Sequence, residues 1–378
     1  MNAATRDARP LRVAIVTPTL DTGGSERQIV KLSSAIDHDE VELTIVILFG
    51  AYRHALADDV DKRITVVRPR YFHHDPRIAA WLRDTISERR ADVVHSFLWN
   101  ADVYSAAAKR RGGKFALICS ERGDRSLTGS LSPIRRIIDR YLTFRQADLF
   151  CANSEYGREL VVQRGFPRER TRVVRNGIDI SAIDAVARED LRRQYGWRDD
   201  TVVVGAVSRL IDYKGIDVLI DAMSTLRGHG DLRCVIVGDG PDRRALERRV
   251  LRHHLQKRVV FAGMQRSPES FMKAFDIFVL PTIAAEHCSN AIIEAMACAK
   301  PVIASRVGGN PNLVVEGQTG LLIDPGESAE LARAIRRLAA DPPLRLRMGT
   351  AGRTRIEEEF RMDVVAPRLM ALWRSAVS

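Results

Sequence analysis

Two kinds of stretch alternate along the chain. Short apolar runs with strand character lie at 11–17, 41–49, 64–67, 92–97, 115–120 and 149–153. Between them apolar residues recur at helical spacing: at 25–35, with Ile29, Val30 and Leu32 turned inward, at 75–90 and at 155–164. An Asn-Gly turn at Asn176-Gly177 closes this series. The alternation then begins again. Strands are predicted at 201–207, 234–237, 259–261, 278–280 and 301–304, with helices ending near 227 and at 268–274, 291–299, 327–339, 343–360 and 363–376. Strand, loop, helix, strand in repeated order is the pattern of α/β folds with parallel sheets. The restart predicts two doubly wound domains, 1–185 and 196–360.

The stretch 275–305, FDIFVLPTIAAEHCSNAIIEAMACAKPVIAS, carries the densest chemistry. It reads as strand, loop, helix and strand, with Ser289 and Asn290 where a helix start takes a capping oxygen. In parallel sheets, ligands sit outside the carboxyl ends of the strands, where helix N-termini point. The loop puts Glu286 just past a strand end and Glu294 in the first turns of the helix. Between them, the N–H groups of the helix start, around Cys288 to Ala291, would form an anion site. A carboxylate accepts hydrogen bonds from vicinal hydroxyls, whereas N–H groups and cations hold phosphate. A nucleotide-sugar has both. Either glutamate alone reads more simply, Glu294 as a helix-dipole partner and Glu286 as a solvated loop residue. The pair in this context points to function.

Other strand ends add to this. In 208–215, SRLIDYKG, Arg209 at a strand end and Lys214 at a helix start set two cations beside N–H groups, as a diphosphate leaving group requires. Each alone reads equally as a surface cation of an arginine-rich chain. Gly238 opens a tight Gly-Asp-Gly-Pro turn that lets the backbone approach a nucleotide. Gly23 and Gly24 lie between the first strand and its helix, in a loop that is neither a Walker A sequence nor G-x-G-x-x-G. His95 lies in the 92–97 strand, where a lone histidine is more often structural than catalytic. Glu121-Arg122-Gly123-Asp124-Arg125 reads as a solvated loop or as an acceptor contact. In 133–145, PIRRIIDRYLTFR, Ile134, Ile137, Ile138, Tyr141 and Leu142 share a helical face, with Arg135, Arg136, Arg140 and Arg145 beside it. A core-facing helix and a helix lying on a membrane surface are equal readings.

Composition narrows the class. With 378 residues, 45% hydrophobic and 28% charged, the chain is expected to fold and dissolve. No apolar run reaches the ~18 residues a membrane span needs, and residues 1–10 lack the apolar core of a signal peptide. Five cysteines form no C-x-x-C pair, which suits buried free thiols in a reducing compartment, so a cytoplasmic location is expected. The formal net charge of +11 suits nucleic acid, an anionic membrane or anionic small substrates. Arginines spread along the whole chain, and no helix-turn-helix, zinc or RNP pattern supports nucleic acid. No cofactor and no metal are expected. His73-His74 and His253-His254 lack partners at ligand spacing, no Asp-x-Asp stands in the predicted phosphate loops, and Arg209 with Lys214 can neutralise a diphosphate.

Glu286 and Glu294 have the E-x7-E spacing, and the run from Glu286 to Ser305 is followed by Gly308-Gly309-Asn310-Pro311 and by Glu316-Gly317-Gln318-Thr319-Gly320. In order and spacing this resembles the C-terminal half of family 4 of the retaining glycosyltransferases with the GT-B fold, and the resemblance covers nearly the whole chain. It implies two Rossmann-like domains facing across a cleft, the donor on the second and the acceptor mainly on the first. A terminal helix, 361–378, would pack back on the first domain. The implied reaction is hexosyl transfer from a nucleotide-diphospho-sugar to an acceptor hydroxyl, with retention, in bacterial polysaccharide or glycolipid synthesis. The acceptor would be a sugar or a lipid-linked sugar, and a turn like Asn176-Gly177-Ile178-Asp179 precedes the family's interdomain linker, here at about 180–200. Peripheral contact at the inner face of a membrane is the separate reading of the 133–145 helix. By the same resemblance Arg209, Lys214 and Glu286 are the catalytic candidates. Gly23, Gly24, Gly238, Ser289, Asn290 and Glu294 would bind the donor, Glu294 through ribose. The family commonly has His-x-His near residue 95; here His95 is followed by Phe97 in the second place, so His95 and Asn100 stand as further candidates. A GT-B nucleotide-sugar epimerase and a basic nucleic-acid-binding protein are the alternative readings.

Overall fold

The computed structural model describes residues 9–21, 23–50, 54–69, 75–123, 132–284 and 286–377. His73-His74 and Asp124-Arg125 therefore lie outside the described residues. The chain divides into two units, residues 1–177 with 362–378, and residues 178–361.

The first unit holds β1 (Leu11–Thr17), β2 (Val41–Ile47), β3 (Thr65–Val67), β4 (Val93–Ser96), β5 (Ala116–Glu121), β6 (Leu149–Ala152) and β7 (Thr171–Val173). They form one parallel sheet in the order β3-β2-β1-β4-β5-β6-β7. Successive residues of β1 enter opposite cores. Val13 and Ile15 pack with Ile29 and Leu32, whereas Ala14 and Val16 pack with Leu82, Ile86 and Phe150. Burial on both faces explains why these strands read as continuous apolar runs. The last helix, Met362–Ser375, closes the first of these cores with Val365, Leu369, Leu372 and Trp373.

The second unit holds β8 (Val202–Val207), β9 (Leu232–Val237), β10 (Val259–Gly263), β11 (Ile277–Leu280), β12 (Val302–Ser305) and β13 (Gly320–Ile323). Their order is β10-β9-β8-β11-β12-β13, again all parallel. Val204, Ala206, Ile277 and Val279 face one core; Val203, Phe278 and Leu280 face the other. Residues 180–200, expected as a linker, are folded onto this unit. Helix Ile180–Ala185 is capped by Asp179, whose carboxylate accepts from the Ala182 N–H at 3.0 Å, and Ile183 and Leu191 are buried in its core.

Both sheets reverse their winding once, between β1 and β4 in the first and between β8 and β11 in the second. At such a point the loops leaving two neighbouring strands diverge to opposite faces and open a crevice at the carboxyl ends. Each unit therefore has one place where its topology makes room for a ligand.

Candidate functional site

In the second unit the crevice is lined by the loops that follow β8 and β11. The first loop runs through Arg209 into a 3-10 turn, Asp212–Lys214, and then Gly215 turns the chain into helix Ile216–Thr225. The second runs from Pro281 to Ser289 and ends in helix Asn290–Ala297, where the Ser289 hydroxyl caps the Ile292 N–H at 3.4 Å. A main-chain bond from Ile283 N–H to the Tyr213 carbonyl, 2.8 Å, joins the loops. Beside that bond the Lys214 ammonium pairs with the Glu286 carboxylate. Their side chains are only 15% and 19% exposed, so solvent screens the pair weakly.

Two glycines make this geometry possible. Gly238 follows β9 with φ +129°, and a Cβ there would lie 1.9 Å from the Ser208 carbonyl oxygen. Only a bare backbone lets the turn after β9 lie against the loop after β8. Gly308 follows β12 with φ +54°, and a Cβ there would meet the Glu286 carbonyl oxygen at 2.2 Å. Its neighbour Gly309 donates its N–H to that same oxygen at 2.6 Å. The backbone of Glu286 is thus held by a loop from another strand.

Arg209 is exposed at the mouth. Asn290 and Glu294 are four residues apart on one helix and so share a face. Glu294 is 6% exposed. The structure therefore gathers Arg209, Lys214, Gly238, Glu286, Ser289, Asn290 and Glu294 onto the carboxyl-end loops of β8, β9 and β11 and the helix that follows. Sequence reasoning missed polar atoms at the same ends. Ser208 Oγ after β8, Thr282 Oγ1 after β11, and Ser305 Oγ at the end of β12 are buried and lack a hydrogen-bond partner among the described residues. Buried polar groups in that state are characteristic of ligand and water sites. Strand-terminal Ser and Thr were the available signal.

Gly23 and Gly24 belong to the first unit, at its own switch point. Gly23 caps helix Gly24–Ala35 without a side chain, and Gly24 begins it. Glu26 in its first turn is 8% exposed, folds its carboxylate over Gly23, and is held above the usual carboxylate range by burial. Leu98, just past β4, has φ +73°, a strained conformation for a branched residue, and leads into helix Trp99–Arg110, where Asn100 is half-buried.

His95 lies inside the sheet. It is fully buried in β4, with its Nδ1 accepting from Trp373 Nε1–H at 3.1 Å and Nε2 2.8 Å from Ser120 Oγ. That network fixes a neutral tautomer with the proton on Nε2. Burial holds the ring well below the usual histidine pKa, with Arg122 adding to the effect. Neither ring nitrogen is left to face a sugar, so His95 clasps the last helix to the sheet. Phe97 is equally buried, under the Arg122 guanidinium at 4.3 Å. The Glu121–Arg122 loop start is also structural. Glu121 is 1% exposed and pairs with Arg164, and Arg122 donates to Asn176 at 3.0 Å.

Comparison with known proteins matches this arrangement on both halves. The family described as glycosyl transferases group 1 matches residues 187–355, and that described as glycosyltransferase family 4 matches residues 22–182. A GDP-mannose-dependent alpha-(1-6)-phosphatidylinositol monomannoside mannosyltransferase of Mycolicibacterium smegmatis is 30% identical over 74% of this chain and 75% of its own. The lipopolysaccharide core biosynthesis glycosyltransferase LpsE of Rhizobium meliloti is 30% identical over 61% of this chain, which spans 66% of that relative's length. Among solved structures, Anabaena HepE in complex with UDP superposes with a TM-score of 0.85 at 25% identity, over 97% of this chain and 100% of that one. With its two parallel-sheet units and these relatives, the chain belongs to glycosyltransferase family 4, the GT-B glycosyltransferases, and is a hexosyltransferase.

Proposed function

We propose that this glycosyltransferase takes its sugar from a nucleotide-diphospho-sugar held at the β8/β11 crevice and passes it, with retained configuration, to a hydroxyl of a bacterial polysaccharide or glycolipid acceptor. The observation that carries the donor is the Lys214–Glu286 pair beside a capped helix start. In a nucleotide-diphospho-sugar the anomeric carbon is bonded through oxygen to phosphorus, so sugar hydroxyls and phosphate are immediate neighbours. A site for it needs a carboxylate and a cation side by side, and this pair supplies them.

The roles are those the family resemblance implies, and the chemistry of each group suits them. Lys214 and Arg209 draw off the charge that builds on the departing diphosphate, and Ser289 and Asn290 with their backbone N–H groups share it. Glu286 accepts hydrogen bonds from the transferring sugar, and Glu294, one turn down the same helix, accepts them from ribose. Gly238 brings backbone to the nucleotide, and Gly23 and Gly24 are assigned to the donor phosphates. Neutralisation by two cations and a helix start needs no resident metal. The names of the relatives support a nucleotide donor, one naming GDP-mannose and HepE solved with UDP. A cytoplasmic setting is supported by five free cysteines, four of them buried. Among the described residues no helix is long and apolar enough to cross a membrane.

The test is proton NMR of the first-formed product, in reactions with UDP- and GDP-sugars and with acceptor present or absent. A product of retained configuration that forms only with acceptor is expected. An inverted product would contradict the retention, and acceptor-independent conversion of the nucleotide-sugar would favour an epimerase.

A further inference from the structure

Glu286 sits in the 281–289 loop, yet its main chain is held from outside that loop. Its carbonyl accepts the Gly309 N–H at 2.6 Å, and among the described residues that is the one main-chain hydrogen bond Glu286 makes. Gly308 lies against the same residue, where a Cβ would meet the Glu286 nitrogen at 2.7 Å as well as the carbonyl oxygen at 2.2 Å. The place of Glu286 is thus set by residues 305–310, between the end of β12 and helix Asn310–Leu313. Asn310 closes that segment. Its side chain is fully buried, and its Nδ2 donates to the Ser305 carbonyl at 3.0 Å. The Val307 N–H donates to the same carbonyl at 2.8 Å, and the Asn310 N–H donates to the Val307 carbonyl at 3.1 Å. Gly308 and Gly309 are the residues this closure holds in place.

The amide is a poor choice for stability alone. A carbonyl oxygen only accepts, so the NH2 end of Asn310 must face Ser305. That leaves its Oδ1 buried with no hydrogen-bond partner among the described residues. A buried acceptor without a partner costs its desolvation, and an apolar side chain of similar shape would avoid that cost. Asn310 therefore gives up stability at one end of its amide and fixes geometry at the other. The geometry reaches Glu286 through a single intermediate, the Gly309 N–H. The Glu286 carboxylate pairs with Lys214, so a shift of the Glu286 main chain moves that carboxylate in the crevice. A misplacement of about 1 Å in a group that touches substrate can cost about a hundredfold in rate.

We propose that Asn310 is a positioning residue for Glu286, acting through Gly309, and that it thereby governs how firmly the site holds the donor sugar. The inference rests on the reading of Glu286 as the contact of the transferring sugar. The test is calorimetry with UDP-glucose against UDP and with GDP-mannose against GDP. The proteins are the wild type, Asn310→Ala, Asn310→Asp, Glu286→Ala, and Asn310→Ala combined with Glu286→Ala, each shown to be folded by a thermal melt. The quantity read is the ratio of nucleotide-sugar to diphosphate affinity, for the pair that the wild type binds more tightly. Glu286→Ala and Asn310→Ala should each lower this ratio about tenfold or more. The combined variant should lose no more than Glu286→Ala alone, because residues that act through one contact are not additive. Asn310→Asp keeps the volume but sets an acceptor against the Ser305 carbonyl, so it should lower the ratio as alanine does. It also serves if the alanine variant fails to fold. A purely structural Asn310 would lower the melting temperature and leave the ratio at its wild-type value, which would overturn the proposal. So would a loss that persists in full when Glu286 is already alanine. An unchanged ratio in Glu286→Ala itself would remove the sugar contact, and this inference with it.

Discussion

At the scale of single residues, the site rests on a few charged side chains and on backbone that holds them. Glu294→Ala should weaken nucleoside diphosphate binding about ten- to a hundredfold, since a hydrogen bond to a charged group contributes roughly 1.5–3 kcal/mol. Calorimetry measures this, and unchanged affinity would remove the ribose assignment. Gly308→Ala forces a Cβ against the Glu286 carbonyl in a left-handed conformation. It should cost about 1–2 kcal/mol of stability and lower turnover more than nucleotide affinity, which paired thermal melts and steady-state kinetics would resolve. That Arg209, Lys214, Glu286 and Glu294 fall on neighbouring loops was legible, because the alternation of strand and helix sets each of them past a strand end or in the helix that follows. The hold of Gly308 and Gly309 on Glu286 was not, because it is a main-chain contact between loops of different strands. What covers His95 was hidden for a related reason. A strand position tells that a side chain lies on one face or the other, not what covers it, and its partner Trp373 is 278 residues away.

At the scale of elements, most strands were plain, while helices Trp99–Arg110 and Arg243–Arg252 and two edge strands were not read. β1 and β8 stand out as continuous apolar runs because both faces of a parallel sheet are buried. β7 and β13 were missed: each has three or four residues at a sheet edge, too few to show a period. Pairing with β12, and the Glu316 carboxylate accepting the Leu322 N–H at 2.6 Å, define β13 where its sequence does not. The segment at 180–200 was placed as a linker by the family's turn at 176–179, yet its Ile183 and Leu191 are buried. The last helix depends on the His95–Trp373 clasp, which gives it a pH dependence. In the unfolded chain His95 protonates near pH 6.5, whereas the buried ring resists protonation. Stability from this residue is thus complete above about pH 6.5 and falls as the pH drops below it, by up to about 1.4 kcal/mol per pH unit. Denaturant midpoints at pH 7.5 and 5.5 should separate more for the wild type than for His95→Gln. Equal separation would mean that the ring is not held neutral.

At the scale of the whole molecule, the two units share one way of winding, with a single switch point in each sheet, and the proposed diphosphate site is centred on the one between β8 and β11. Because cations and a helix start supply the neutralising charge there, transfer should continue in excess EDTA. EDTA-sensitive turnover would contradict that account while leaving the family membership intact. The most direct measurement is calorimetric titration of the wild type and of Lys214→Ala with UDP and GDP, and with uridine and guanosine as phosphate-free controls. If the crevice holds a nucleoside diphosphate through Lys214, one diphosphate should bind the wild type well, and the variant should lose about tenfold or more of that affinity. Its affinity for the matching nucleoside should not change. Equal diphosphate affinity in the two proteins would contradict the account.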